Sequence, residues 1–153
     1  VEIQALVAPA GYGTARRTSL GIDDGRLALL LAVLERRGDV DLLSRDVYVN
    51  VAGGVRVSEP GADLALALAL ASSRLDLPLP PDVAACGEIG LGGEVRRIGR
   101  IDLRLREATR LGFRRLLLPE GCVAGARAPA GAELVPLREV AEAVRWLRAS
   151  RRP

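Results

Sequence analysis

Residues Leu64 to Ala71 alternate leucine with alanine and carry no polar side chain. A run of this kind offers nothing to water, so the element it forms has to be covered on every side. Strict alternation is the period of a strand. From Pro60 to Leu75, however, the segment contains no Val, Ile or Thr, and it is too long and too rich in Ala and Leu for a strand. It predicts a helix, with Pro60 in the first turn and the alanines allowing neighbouring backbones to approach closely. Being apolar all round, this is the central, buried helix of the fold.

The rest of the chain is read around that helix. Glu2 to Val7 alternates like a strand, and Ala8 to Ser19, with Pro9, Gly11, Gly13 and Arg16-Arg17, reads as an exposed loop. Asp23 or Asp24 caps a helix carrying Leu27, Leu30, Leu31 and Leu34 on one face, with Gly38 as its stop. Asp46 to Val51 and Val55 to Val57 are expected to form a hairpin around Gly53-Gly54. Pro78, Pro80 and Pro81 make a rigid connector. Ala84 to Ile89 and Glu94 to Ile98 are expected as a strand pair around Gly90, Gly92 and Gly93. An amphipathic helix over Ile101 to Leu111 is expected to bury Ile101, Leu105, Ala108 and Leu111. Strands at Arg115 to Leu118 and Glu133 to Val135 precede a last helix, Leu137 to Leu147. This order describes an α/β fold with a mixed sheet, not a doubly wound nucleotide fold.

At 153 residues the chain reads as a single domain, 1–153. Its only aromatic residues are Tyr12, Tyr48, Phe113 and Trp146, so the core is aliphatic. A first residue Val1 and the absence of Met suggest a piece of a longer protein. There is no basic-then-apolar leader, and the longest apolar run is shorter than the roughly 20 residues a bilayer requires, so a soluble, cytoplasmic protein without membrane contact is expected. Cys86 and Cys122 lack metal-ligand spacing and read as small buried hydrophobes in a reducing compartment.

Reaction chemistry is constrained by what is absent. The chain has no lysine and no histidine; all 22 basic residues are arginine. A guanidinium stays protonated at biological pH and cannot take a proton from a nucleophile. The usual activators of a serine or cysteine are therefore missing. No phosphate-binding P-loop is possible without lysine, and Gly87, Gly90, Gly92 and Gly93 read as a hairpin turn. No carboxylates show metal spacing.

Two stretches carry a family resemblance: V-Y-V-N-V-A-G-G-V-R-V-S-E-P-G-A-D-L-A (Val47 to Ala65) and G-E-I-G-L-G-G-E-V-R-R-I-G-R-I-D-L-R-L-R-E-A-T-R-L-G-F (Gly87 to Phe113). They resemble the proteolytic domain of the Lon family, which implies a Lon-protease-like (ribosomal S5 domain 2-like) fold. In that family a nucleophilic Ser lies in D-G-P-S-A-G and a Lys base follows an I-G-G turn. Here the serine position falls on Gly61 and the lysine position on Asp102. Arg106 is the expected ion-pair partner of Asp102, and Ser58 the expected cap of the central helix.

A fuller set of motifs, from V-E-I-Q-A-L-V at the start through A-V-L-E-R-R, E-P-G-A-D-L-A and E-A-T-R-L-G-F, is similar to the C-terminal domain of the bacterial RadA (Sms) DNA-repair family. That resemblance implies a non-proteolytic domain of a recombination and branch-migration ATPase, with DNA and further copies of itself in a hexameric ring as partners. It places zinc, ATP and Mg in other parts of the longer protein, and no cofactor in this one. Two alternatives stay open: a hexamerisation scaffold without DNA contact, and a residual serine peptidase using Ser58 or Thr109.

The net charge of +3 is unevenly spread. From Glu94 to Arg115 there are eight arginines against three acids. Concentrated positive charge on a nearly neutral body suggests a polyanion. The candidates for DNA contact are Arg16, Arg17, Arg114 and Arg115, which have no acid adjacent in sequence, followed by Arg96, Arg97 and Arg100. Arg104, Arg106 and Arg110 are expected in surface ion pairs. Arg145, Arg148, Arg151 and Arg152 are expected as a solvated helix end. No aromatic residue is interleaved with the basic ones, so recognition is expected to be electrostatic and indifferent to base sequence.

Overall fold

The computed structural model describes residues 1–150; Arg151 and Arg152 lie outside the described residues. Its elements are β1 (Ile3–Pro9), β2 (Arg17–Leu20), α1 (Asp24–Arg37), β3 (Arg45–Val51), α2 (Asp63–Leu75), β4 (Val83–Ala85), β5 (Glu88–Ile89), β6 (Val95–Arg96), α3 (Ile101–Arg110), β7 (Arg115–Pro119), α4 (Glu120–Val123), β8 (Glu133–Leu137) and α5 (Val140–Ala149). Short 3-10 turns lie at Ala52–Gly54 and Pro60–Ala62.

The leucine–alanine run is helical and forms most of α2. Leu64, Leu66, Ala67, Leu68, Leu70 and Ala71 are all buried. Pro60 opens the 3-10 turn that feeds the helix, and Asp76 in the left-handed region ends it. Asp23 caps α1 by accepting the Arg26 N–H, and Leu27, Leu30, Leu31 and Leu34 are buried as their spacing requires.

The domain is layered. A first sheet has the order β1-β3-β2, with β1 antiparallel and β2 parallel to β3. Its inner face, including Val47, Val49 and Val51, packs with α1, α2 and α5 into the main core. A second, parallel sheet, β4-β7-β8, closes the other side of that core. Along its middle strand, Leu117 belongs to the main core, while Leu116 and Leu118 join Leu105 of α3 and Cys122 in a second cluster. A strand covered on both faces explains the unbroken leucines of β7.

Several expectations are corrected. Residues Val55 to Val57 do not return as a hairpin strand, because both edges of β3 are already taken by β1 and β2. Val57 N–H instead donates to Gly21 O at 2.8 Å. The strand pair expected over Ala84 to Ile89 and Glu94 to Ile98 splits: β4 pairs with β7, and only β5 and β6 form a hairpin. The break falls at Gly87, whose backbone is bonded to Gly61 and Leu64. The loop read over Ala8 to Ser19 is shorter, since Ala8 and Pro9 belong to β1 and Arg17 to Ser19 to β2, and α4 was not foreseen. Leu111 follows α3 at its C-cap and is 64% exposed, where burial was expected.

The outer face of the first sheet is uncovered. Register places Gln4, Leu6 and Ala8 of β1 beside Asn50, Tyr48 and Asp46 of β3, with Leu20 and Thr18 of β2 beside Asn50 and Tyr48. Among the described residues no helix is long and apolar enough to cross a membrane.

Candidate functional site

Gly61 lies buried in the 3-10 turn before α2. Gly87 N–H donates to Gly61 O at 2.8 Å, and Leu64 N–H donates to Gly87 O at 3.0 Å, so the turn is clamped to the chain entering β5. A Cβ placed on Gly61 would stand 3.1 Å from Glu59 Oε1 and 3.6 Å from both terminal nitrogens of Arg104. The space above this residue is thus taken by an ion pair between Glu59 and Arg104. Arg104 Nε also donates to Gly99 O at 3.0 Å.

The fold therefore brings α3 up to Gly61, as the Lon resemblance requires, but through Arg104. Asp102 is exposed in the first turn of α3 and makes no ion pair among the described residues. Its expected bond to Arg106 does not form. An exposed pair of this kind is worth only about 0.3–0.5 kcal/mol, little against the rotamer freedom it would cost. Arg110 does pair with Glu107, at 2.8 Å. A cleft of about 500 Å³ beside the ion pair is lined by Glu59, Arg100, Leu103, Arg104 and Glu107.

Cys86, Thr109 and Ser58 each carry a potential nucleophile. Burial pushes the Cys86 thiol up to about 11, with Arg104 opposing in part, so it is protonated at neutral pH. Thr109 Oγ1 donates back to Leu105 O at 2.8 Å within its own helix. Ser58 does not cap α2, since the cap position of the turn that feeds it is Glu59 and no side chain caps either the turn or the helix. Ser58 lines a cleft of about 290 Å³ with Asp23, Arg26, Glu59 and Asp63, none of them a neutral base.

Sequence reading missed the one buried charge among the described residues. Asp63, 3% exposed, opens α2 and binds Arg26 of α1 through both carboxylate oxygens. The Ile89 N–H donates to Asp63 Oδ2 at 2.9 Å, and Arg26 Nη2 returns a bond to Ile89 O at 3.1 Å. An acidic residue heading an otherwise apolar run was the available signal.

The candidate arginines divide by partner. Arg115 is not free: its Nε and Nη2 reach Asp82 at 3.0 and 2.5 Å, and each group stabilises the other's charged form. The acid is distant in sequence and was therefore overlooked. Arg96 lies 2.8 Å from Glu94 and 3.9 Å from Glu88. Arg16, Arg17, Arg97, Arg100 and Arg114 are exposed and have no carboxylate partner among the described residues. Arg16 N–H is held by Asp46 Oδ1 at 2.7 Å, and Arg17 Nη2 donates to Leu43 O at 3.0 Å. The stem of Arg97 lies over Gly121. Arg100 adopts a left-handed conformation, φ 58°, where the Lon turn has glycine. Arg56 and Arg106 are likewise exposed and unpaired among the described residues, and their positions gave no warning of it.

The profile of the Lon protease (S16) C-terminal proteolytic domain matches residues 35–126, which include the Gly61 turn and all of α3. The chain belongs to the Lon protease C-terminal domain family. Among its relatives, this Lon-family domain is 47% identical to the DNA repair protein RadA of Bacillus subtilis over 145 residues, 95% of this chain and 32% of the relative. It is 54% identical to the protein of the same name from Brucella abortus over 121 residues, 79% of this chain and 26% of the relative. It is 45% identical to that of Aquifex aeolicus over 147 residues, 96% of this chain and 32% of the relative. The chain spans about a third of the length of these relatives.

Proposed function

We propose that this chain is the non-proteolytic Lon-like domain of a RadA-type recombination and repair ATPase. In that role it is a ring scaffold, hexameric as the family resemblance implies, and a sequence-independent DNA-binding module. The observation that carries the non-proteolytic reading is the Glu59–Arg104 ion pair over Gly61. It occupies the place of a nucleophile in a chain that lacks lysine and histidine. Support for DNA contact comes from the arginines without carboxylate partners, since phosphates are bound by cations that have no internal claim on them. Arg16, Arg17, Arg97, Arg100 and Arg114 fill this role, with Arg96 and Arg115 holding the fold. ATP hydrolysis with its Mg, zinc binding and branch migration belong to the parts of the longer protein beyond this chain. The described residues offer no cluster of carboxylates or cysteines for a metal.

Three measurements test the proposal. Casein digestion and labelling by a serine-directed probe are expected to be negative. A mobility-shift titration is expected to show binding that Arg16→Glu with Arg17→Glu strongly weakens at an unchanged melting temperature. Normal binding by that variant sinks the site assignment. An absence of binding by the parent chain leaves the scaffold reading alone, and sedimentation measures whether the chain assembles.

A further inference from the structure

We infer that the outer face of the β1-β3-β2 sheet holds single-stranded DNA by stacking unpaired bases on Tyr48. This rests on the DNA-binding reading above and specifies what part of the nucleic acid meets the protein. Tyr48 stands on the middle strand with its outward face uncovered, 37% exposed, flanked directly by Leu6 at 59% and by Thr18. Next to it along the strand, Asn50 Nδ2 donates to Gln4 Oε1 at 3.2 Å, which leaves further amide donors and acceptors on the surface. Leu20, 63% exposed, completes that row. At one end of the sheet the β1–β2 loop carries Tyr12, fully exposed, and then Arg16; Arg17 opens β2 at the sheet's edge, in register with the core residue Val47 and so turned from the Tyr48 face. Two of the chain's four aromatic residues are therefore exposed on or beside this sheet, next to Arg16, which has no ion pair, and at the edge that Arg17 occupies. Sequence order hid this, because Tyr48 reaches the arginines only through strand pairing.

The composition of the face selects its ligand. A duplex is gripped by cations following its phosphates, whereas the middle of this face is uncharged and Asp46 and Glu2 lie at its margins. A flat surface with a central aromatic ring, neighbouring amides and arginine at the rim suits splayed bases, with their phosphates turned to the arginines. A second protein surface fits less well. Leu6, Leu20 and Tyr48 are set among the polar Gln4, Thr18 and Asn50, and these six residues are few beside the roughly 20–30 a side of a stable interface.

The test is the affinity of the 153-residue chain for a fluorescent oligothymidylate and for a duplex of equal length, measured by anisotropy. Variants are Tyr48→Ala, Tyr48→Phe and the double charge reversal of Arg16 and Arg17, each checked by thermal melting. Tyr48→Ala is expected to weaken single-strand binding at least about five-fold while duplex affinity stays within about two-fold. Tyr48→Phe, which keeps the ring, is expected to bind as the parent does. If Tyr48→Ala leaves single-strand affinity intact while the arginine variant loses it, the stacking surface is refuted and DNA binding stands. Equal losses on both DNA forms also refute stacking. If the parent binds neither form, both readings fall together. A concentration-dependent dimer that Tyr48→Ala dissolves would show the face to be a contact between copies, against the inference.

Discussion

Arg115 and Asp82 illustrate how a side chain's availability depends on neighbours distant in sequence. Arg115 looks unclaimed in its own stretch, yet it donates two bonds to a carboxylate that precedes β4. The bond from Arg115 holds the Asp82 carboxyl below the ordinary carboxylate range. The side-chain bonds from Arg45, Arg74 and Ser44 do the same for Asp41. A group with a depressed folded pKa binds its proton more weakly folded than unfolded, so its stabilising share is present above the ordinary value of about 3.9. That share is lost as pH falls through the folded value. We expect Asp82→Asn to melt lower than the parent at pH 7 and the difference to close as pH falls below about 4, which melting curves against pH will measure. At Gly61 the geometry makes a second prediction. Restoring the family dyad by Gly61→Ser with Asp102→Lys is expected to yield no casein hydrolysis, because Glu59 and Arg104 fill the space the serine hydroxyl needs. Hydrolysis by that double variant would overturn the reading of a sealed site.

At the scale of elements, the joint between α1, α2 and β5 depends on one carboxylate. Asp63 is buried and fully bonded, while Arg26 keeps 30% of its side chain exposed. Asp63→Ala removes the partner of a guanidinium that can partly rehydrate, and of the Ile89 amide, which cannot. We expect a loss of about 3 kcal/mol, at the low end for breaking a buried pair, read from urea unfolding. The elements themselves were legible wherever burial alone decides them. The α2 helix, the leucine face of α1 and the unbroken leucines of β7 follow from side-chain character and spacing. What was illegible depended on strand competition. Val55–Val57 has the composition of a strand and finds no free edge, and Ala84–Ile89 is split between two sheets at Gly87. At the candidate site, the sequence shows directly that Gly61 has no side chain and that residue 102 is an aspartate. The ion pair over Gly61 joins residues 45 positions apart and could not be read there.

For the whole molecule, the layers separate two chemistries. The side of α3 and the second sheet carries Arg97, Arg100, Arg106 and Arg114, and the edge of the first sheet carries Arg16 and Arg17. If phosphates are held at both, the logarithm of the affinity for single-stranded DNA is expected to fall linearly with the logarithm of salt, with a slope of roughly 0.7 per phosphate contacted. Charge reversal at Arg16 and Arg17 then lowers that slope by about two contacts and leaves the remainder, a result that anisotropy at several salt concentrations will give directly. The bond from Ile89 to Asp63 has a consequence for the same molecule viewed in time. Its acceptor is buried and tied to α1, so the Ile89 amide cannot meet solvent by fraying of the two-residue strand it sits in. Exchange of that proton for deuterium has to wait until α1 and α2 part. The slowness of that exchange is then a gauge, built into the backbone, of the free energy that holds the whole domain closed.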